Sequence, residues 1–255
     1  MRVHQLERTL KGLKLSGILA TLEQRLEQAQ REQLGYLEFL ALVLEDEADR
    51  RGQGALARRV ARARFEEVKT LADFDFRANP QAPAAIIRDL ATLRFLERQE
   101  SVLICGPVGV GKSHIAQALG FQACQAGYHV RYVKTPRLLA DLGGGHADGT
   151  FQQRLRAYLA VELLILDDFG LQALTPLQSE NLYQMICERY LRHSTVVVAN
   201  RPPQEWYSHF SDPVLAEGAL DRLVNASHHV LMDGPSYRPR KRPGAATSAE
   251  AGGDG

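Results

Sequence analysis

Between residues 101 and 113 the chain reads Ser101-Val-Leu-Ile-Cys-Gly-Pro-Val-Gly-Val-Gly-Lys-Ser113, and no other stretch restricts the fold as tightly. Val102, Leu103 and Ile104 are an apolar run suited to a buried strand, and Ile115, Ala116 and Leu119 then recur at helical spacing. The turn between them holds Gly106, Gly109 and Gly111, then Lys112 and Ser113. Glycines at this spacing let backbone N–H groups curl around a phosphate with no Cβ in the way. The pattern therefore predicts a nucleotide-binding loop. Lys112 would reach the β- and γ-phosphates and Ser113 would ligate Mg²⁺.

Beyond the loop, short apolar runs alternate with longer helical ones. His129 to Val133, Leu163 to Leu166, Thr195 to Ala199 and His228 to Met232 join Val102 to Cys105 as five candidate strands, each separated from the next by a helix. That order predicts an α/β domain, a parallel five-stranded sheet flanked by helices, with its ligand-binding loops at one edge. Pro83 to Leu96 reads as a helix leading into the first strand. Thr135-Pro136 and Thr175-Pro176 each read as an N-cap followed by proline at the first helical position, and Gly143 to Gly149 as a flexible loop.

Two of these strands end in polar chemistry. Leu163-Leu-Ile-Leu-Asp-Asp168 finishes in two carboxylates, which a parallel sheet places at the same edge as the phosphate loop. Asp167 would orient Mg²⁺ through water, and Asp168 would position or polarise an attacking water. Thr195-Val-Val-Val-Ala-Asn200 ends in a neutral amide able to hydrogen-bond both that water and a γ-phosphate. Arg222, on a helical pattern before the fifth strand, either pairs with Asp221 or Glu217 of its own helix or projects to a neighbouring subunit's γ-phosphate.

The front of the chain is helical. Val3, Leu6, Leu10, Leu13, Ile18, Leu22 and Leu26 form an amphipathic region with a break expected near Gly12 or Gly17. Tyr36, Phe39, Leu40, Val43 and Leu44 mark the apolar side of a second helix, which Glu45, Asp46, Glu47 and Asp49 are expected to end. Arg50, Arg51, Arg58, Arg59, Arg62 and Arg64 follow without an intervening acid. They either pair with the acidic cluster or follow a phosphate backbone, and the missing acids favour nucleic acid slightly. Pro80 and Pro83 interrupt the helical pattern. The expected division is a small all-α domain over residues 1–76, the α/β domain over 77–243, and a disordered tail over 244–255 that lacks large apolar side chains.

With a formal net charge of +1 the chain has no overall basic field, so any nucleic-acid partner must be met by a local patch. No apolar run approaches the roughly 18 residues of a membrane span, and a cytoplasmic protein without a membrane partner is expected. Cys105, Cys124 and Cys187 lack metal or redox spacing and are expected to be small buried residues, as suits a reducing cytosol.

The stretch Gly106-Pro107-Val108-Gly109-Val110-Gly111-Lys112-Ser113-His114, together with Leu164-Ile-Leu-Asp-Asp-Phe-Gly170, Asn200-Arg-Pro-Pro, Asp212-Pro-Val-Leu-Ala216 and Ser236-Tyr-Arg-Pro239, resembles the IstB-like ATPases. These are helper proteins encoded beside the transposase in one class of bacterial insertion sequences. The likeness extends to Leu13-Lys-Leu-Ser-Gly17, Asp46-Glu-Ala-Asp-Arg-Arg51 and Thr70-Leu-Ala-Asp-Phe-Asp-Phe76. It implies a P-loop AAA+ fold related to the helicase loader DnaC and the initiator DnaA. It also implies an ATPase using ATP and Mg²⁺, which assembles on duplex DNA as an ATP-dependent homo-oligomer and recruits and stimulates the transposase. The family's nucleotide-site roles fall on Lys112, Ser113, Asp167, Asp168 and Asn200, and Arg222 matches the position of an arginine finger.

The sequence departs from that pattern in two ways. Asp168 stands where most AAA+ proteins carry Glu, and the shorter side chain suggests slow hydrolysis, stimulated by assembly or DNA. Only residues 233–255 follow Met232, so an independent helical lid is not expected, with Arg238 as a substitute for its sensor arginine. A replicative helicase loader of the DnaC kind is the alternative reading.

Overall fold

The computed structural model describes residues 3–77 and 79–237; Arg238 and the tail over 244–255 lie outside the described residues. By internal contacts the chain divides into two units, Met1–Arg59 and Val60–Gly255.

In the first unit, α1 (Val3–Gly12) and α2 (Ser16–Glu32) are separated by a turn at Leu13–Leu15, close to the expected break. Leu10, Ile18, Leu22 and Val43 form a small core, with Leu6, Leu15, Leu19 and Phe39 packed against it. Charged groups tie α2 to α3 (Tyr36–Ala63). Glu47 Oε2 accepts from the backbone N–H groups of Gly17 (2.6 Å) and Ile18 (3.4 Å). Asp46 takes a two-pronged bond from Arg25, Nε to Oδ2 at 2.8 Å and Nη2 to Oδ1 at 2.6 Å. Gly17 is required there, since a Cβ would lie 2.7 Å from Glu47 Cα.

Three expectations for this region change. The acidic cluster does not end a helix: α3 runs through it, because Asp46 and Glu47 find partners on α2. Tyr36, Leu40 and Leu44 are exposed, and only Phe39 and Val43 of the expected apolar side meet the core. The contact-based division falls after Arg59 and not at 76/77, because Phe65, Glu66, Glu67, Phe74 and Asn79 meet the phosphate loop or its helix. Of the six arginines, Arg51 pairs with Glu47 at 2.7 Å, while Arg50, Arg58, Arg62 and Arg64 make no ion pair among the described residues.

The second unit is a three-layer α/β domain. Its parallel strands β1 (Ser101–Cys105), β2 (Val130–Lys134), β3 (Leu163–Phe169), β4 (Ser194–Ala199) and β5 (Ser227–Leu231) stand in the order β2-β3-β4-β1-β5. Every residue of β4 is buried and β1 nearly so, which explains their continuous Val and Ile runs. Connecting them are α6 (Lys112–Gln125), α7 (Thr135–Asp148), α8 (Phe151–Leu159), α9 (Pro176–Arg189), a 3₁₀ segment (Pro203–His209) and α10 (Pro213–Asn225). Trp206 is wholly buried against Phe169, at a ring-centre distance of 4.7 Å.

Local corrections follow from packing. The expected helix Pro83–Leu96 is two, α4 (Ala84–Leu90) and α5 (Arg94–Glu97), broken at Leu93 in the left-handed region (φ +63°). Gly143 to Asp148 are not a loop but the end of α7, with Gly149 (φ +74°) as its C-cap. Close packing on α8 selects glycine there, as a Cβ on Gly145 would sit 2.7 Å from Phe151 Cα. Thr175 is the N-cap of α9 and completes a capping box with Gln178. Thr135 is not a cap: it lies inside α7, and its hydroxyl donates to the Asp167 carbonyl at 2.9 Å. Cys105 and Cys124 are buried, while Cys187 is half-buried.

Candidate functional site

The C-terminal ends of β1, β3 and β4 open on a cavity of about 790 Å³. Gly106 leaves β1 at φ +151°, where a Cβ would fall 1.8 Å from the Met232 carbonyl oxygen. The loop then turns into α6, whose N-cap is Gly111 (φ +100°). Because Gly111 has no side chain, the amides of Ser113 and His114 meet no acceptor among the described residues, and a helix start in that condition attracts an anion. Lys112 is buried, and its ammonium donates to the Pro107 carbonyl at 2.7 Å, inside the curl of the loop.

Val108, Gly109, Val110, Gly111, Lys112, Ser113 and His114 line this cavity together with Asp167, Asp168 and Asn200; Gly106 and Pro107 do not line it, though the Pro107 carbonyl accepts from Lys112. The structure therefore brings together the residues that the strand ends predicted. Arg222 is elsewhere. It borders a small pocket with Gln99, Ser101 and Thr195, at the edge where the strands begin, and its Nη1 donates to the Gly218 carbonyl of its own helix at 2.6 Å. Neither Asp221 nor Glu217 holds it; Asp221 accepts from Asn225.

The two carboxylates lie inside β3 and not after it. Against β4 the ladder steps from Leu166↔Val197 to Phe169↔Ala199, leaving one extra residue on β3. Such a bulge re-aims a side chain, and Asp168 adopts φ +56° within it. Asp167 is buried and doubly anchored: Oδ2 accepts from Tyr132 Oη at 2.7 Å and Oδ1 from the Asp168 N–H at 2.8 Å. Burial, then the bond to Asp167, pushes the Tyr132 phenol up, so it remains a donor. Burial likewise pushes the Cys105 thiol up to about 11, leaving it inert beneath the loop.

Several residues of the site were not legible as such. Gln117, one turn after Ser113, accepts with Oε1 from the backbone N–H groups of Glu66 (2.9 Å) and Glu67 (3.1 Å), and its Nε2 donates to the Ser113 carbonyl at 3.3 Å. Phe74 lies against Gly111, where a Cβ would meet its ring at 2.5 Å, and Asn79 Nδ2 donates to the Val110 carbonyl at 3.3 Å. Lys134, the last residue of β2, has its ammonium 3.0 Å from Glu66 Oε1 and 3.6 Å from Asp168 Oδ2. The hydrogen bond to Glu66, with the nearby charges of Glu66, Asp168 and Asp167, raises the affinity of Lys134 for its proton. Strand periodicity was the one available signal, since Tyr132 and Lys134 share a face of β2.

The donor set suits Mg²⁺. The Ser113 hydroxyl and the Asp167 carboxylate are hard oxygen donors in one cavity, the number Mg²⁺ uses when phosphates and water complete its shell. No group of three or more His, Cys, Asp or Glu residues among those described forms a separate metal cage.

Comparison with known proteins matches this arrangement. The family model of IstB-like ATP binding proteins matches residues 8–245. An insertion-sequence ATP-binding protein of Mycobacterium tuberculosis is 52% identical over 95% of this chain and 97% of its own length. The ATP-binding protein of insertion sequence IS21 from Pseudomonas aeruginosa is 35% identical over 94% of this chain and 91% of its own. Among solved structures, the DnaC helicase loader matches with a TM-score of 0.51 at 21% identity, over 58% of this chain and 86% of the other. AMPPCP-bound DnaA from Aquifex aeolicus matches with a TM-score of 0.56 at 21% identity, over 67% and 51%. These structural likenesses establish the P-loop AAA+ fold. No helix among the described residues is long and apolar enough to cross a membrane.

Proposed function

The chain belongs to the family of IstB-like ATP binding proteins, and from that premise we propose that it is an ATPase that oligomerises on duplex DNA and recruits and stimulates the transposase of its insertion sequence. The observation that carries this reading is the uncapped start of α6 facing the two carboxylates of β3 across one cavity. Lys112 would exchange the Pro107 carbonyl for β- and γ-phosphate oxygens, and Ser113 and Asp167 would hold Mg²⁺. Bound Mg²⁺ supplies charge neutralisation on the phosphates.

Asp168 and Asn200 hold the attacking water. Its oxygen bonds to the γ-phosphorus, and the bond from that phosphorus to the bridging oxygen breaks. ADP leaves with the electron pair, and the water's proton passes to Asp168 and then to solvent. Arg222 lies at the far edge of the sheet from the cavity, which favours its acting on a neighbouring subunit's nucleotide over its own. Assembly is then ATP-dependent, and the exposed arginines of α3 add a sequence-independent contact to DNA.

The test is binding of the full chain to labelled duplex DNA with ATP or ADP, alongside turnover. Wild type should bind with ATP, Asp168→Asn should bind and persist, and Lys112→Ala should do neither. A mixture of Lys112→Ala and Arg222→Ala should recover part of the turnover that each has lost. DNA binding indifferent to nucleotide, with no recovery on mixing, would overturn the reading.

A further inference from the structure

We propose that Gln117 is a positioning residue that retains nucleotide, by fastening the strap over residues 65–70 along α6 as one wall of the cavity. The proposal rests on the nucleotide-binding reading above and names a control on retention at that same site. Residues 65–70 belong to no helix or strand, and Glu66, Glu67 and Val68 are exposed. A segment of that kind keeps one place only where a neighbouring element fastens it.

The fastening is a stripe on α6. Gly120, Gln117 and His114 are spaced three residues apart and so share a face of the helix. Phe65 packs on Gly120, where a Cβ would meet its ring at 2.8 Å. Gln117 Oε1 accepts from the backbone N–H groups of Glu66 at 2.9 Å and Glu67 at 3.1 Å, and His114 Nε2 donates to the Thr70 carbonyl at 2.9 Å. The strap thus runs back along α6 toward the phosphate loop. Glu66, Glu67, Val68 and Lys69 line the same cavity as Lys112 and Ser113. They bring little uncompensated charge to it, because Lys134 pairs with Glu66 and Lys69 with Glu67.

Gln117 is the middle fastening and the one that also reaches the loop. Its side chain is buried, and its Nε2 donates to the Ser113 carbonyl at 3.3 Å. One neutral amide, acceptor at one end and donor at the other, therefore ties the wall to the first turn of α6. Without it, water can take over the amides of the exposed strap at little cost, and the strap lifts. Nucleotide would then have to order the strap again on binding, and would leave by the opened side. Gln117 makes no hydrogen bond to Asp167 or Asp168 among the described residues, so retention and not the chemical step depends on it.

Full-length Gln117→Met, close to glutamine in size but unable to make these bonds, tests this beside wild type. Release of a fluorescent ATP analogue should be roughly tenfold faster, as the loss of one or two net hydrogen bonds implies, with affinity weakened by a similar factor. Single-turnover hydrolysis at saturating ATP should be unchanged. Hydrogen exchange should show lost protection at the Glu66 and Glu67 amides while β4 keeps its own, which separates a lifted strap from a folding defect. Phe65→Ala loosens the strap at its far end and should speed release in the same direction. Release at the wild-type rate from Gln117→Met, or from Phe65→Ala where Gln117→Met does not fold, would overturn the proposal and leave the nucleotide reading standing. So would slower single-turnover hydrolysis with release unchanged. Wild type that binds no ATP analogue would overturn both.

Discussion

Two helices in this chain begin in opposite chemical states. The first amides of α2 are taken by a carboxylate of the chain itself, Glu47, which reaches across from α3. The first amides of α6 are offered by a loop whose N-cap is a glycine, and those of Ser113 and His114 have no acceptor among the described residues. Both starts carry the same partial positive charge. Where the chain supplies the anion, the result is structure, a pin between two helices. Where it withholds one and places Lys112, Asp167 and Asp168 around the gap, the result is an open cavity, the candidate ligand site. A helix start is thus informative only together with what faces it.

The largest expected effect separates the two states. Lys112→Ala removes the ammonium that supports the open start, and a charge-assisted contact of this kind is worth roughly a hundredfold in ATP affinity. Calorimetric titration with ATP should show that loss while hydrogen exchange in α2 and α3 stays at wild-type rates. Faster exchange in α2 would mean that the two starts are not independent.

Next comes Gly17→Ala, which attacks the filled start. An added methyl would meet Glu47 Cα at 2.7 Å and Asp46 O at 2.8 Å, both on the backbone of α3, so the helices must separate. Overpacking of this kind costs about 1–3 kcal/mol. Hydrogen exchange should accelerate in α2 and α3, and ATP affinity should not change. Unaltered protection would show that α2 is not pinned at this point.

The contrast also marks what the sequence could disclose. The five parallel strands, the glycine turn and the paired carboxylates were legible because buried parallel strands are written as unbroken apolar runs and their ends share an edge, whereas the order of the strands across the sheet was not predicted. Lys134 was missed by one residue, since the apolar run stops at Val133 while the ladder continues to Lys134↔Asp167. Glu66 gave no signal: it follows the arginine run as an ordinary surface acid, and only Gln117, far along the chain, brings it to the site. Gly143, Gly144 and Gly145 read as a loop by local propensity, yet packing against Phe151 and Arg154 keeps the segment helical. The apolar stripe of α3 could not show which of its members would meet α2, and Tyr36, Leu40 and Leu44 did not.

The smallest effect is the pH response of the filled start. The Arg25 guanidinium, with help from the Thr21 hydroxyl, holds the Asp46 carboxyl down at about 2 from the usual carboxylate range, and Arg51 with the Gly17 and Ile18 amides holds Glu47 below its ordinary value. Both shifts are depressions, so folding favours the ionised forms. Their contribution to stability is fully present above the unfolded pKa values near 4 and is lost as pH falls through the folded ones. The α2–α3 pin should therefore weaken progressively between about pH 4 and 2. Asp46→Asn should remove part of that acid sensitivity in advance: its α2 and α3 amides should exchange faster at pH 7, with a smaller further change on acidification. Arg25 is partly exposed, so added salt should reduce the difference between wild type and variant at pH 7. Equal acid responses in the two proteins would show that Asp46 contributes nothing to the pin and that Glu47 alone fills the start of α2.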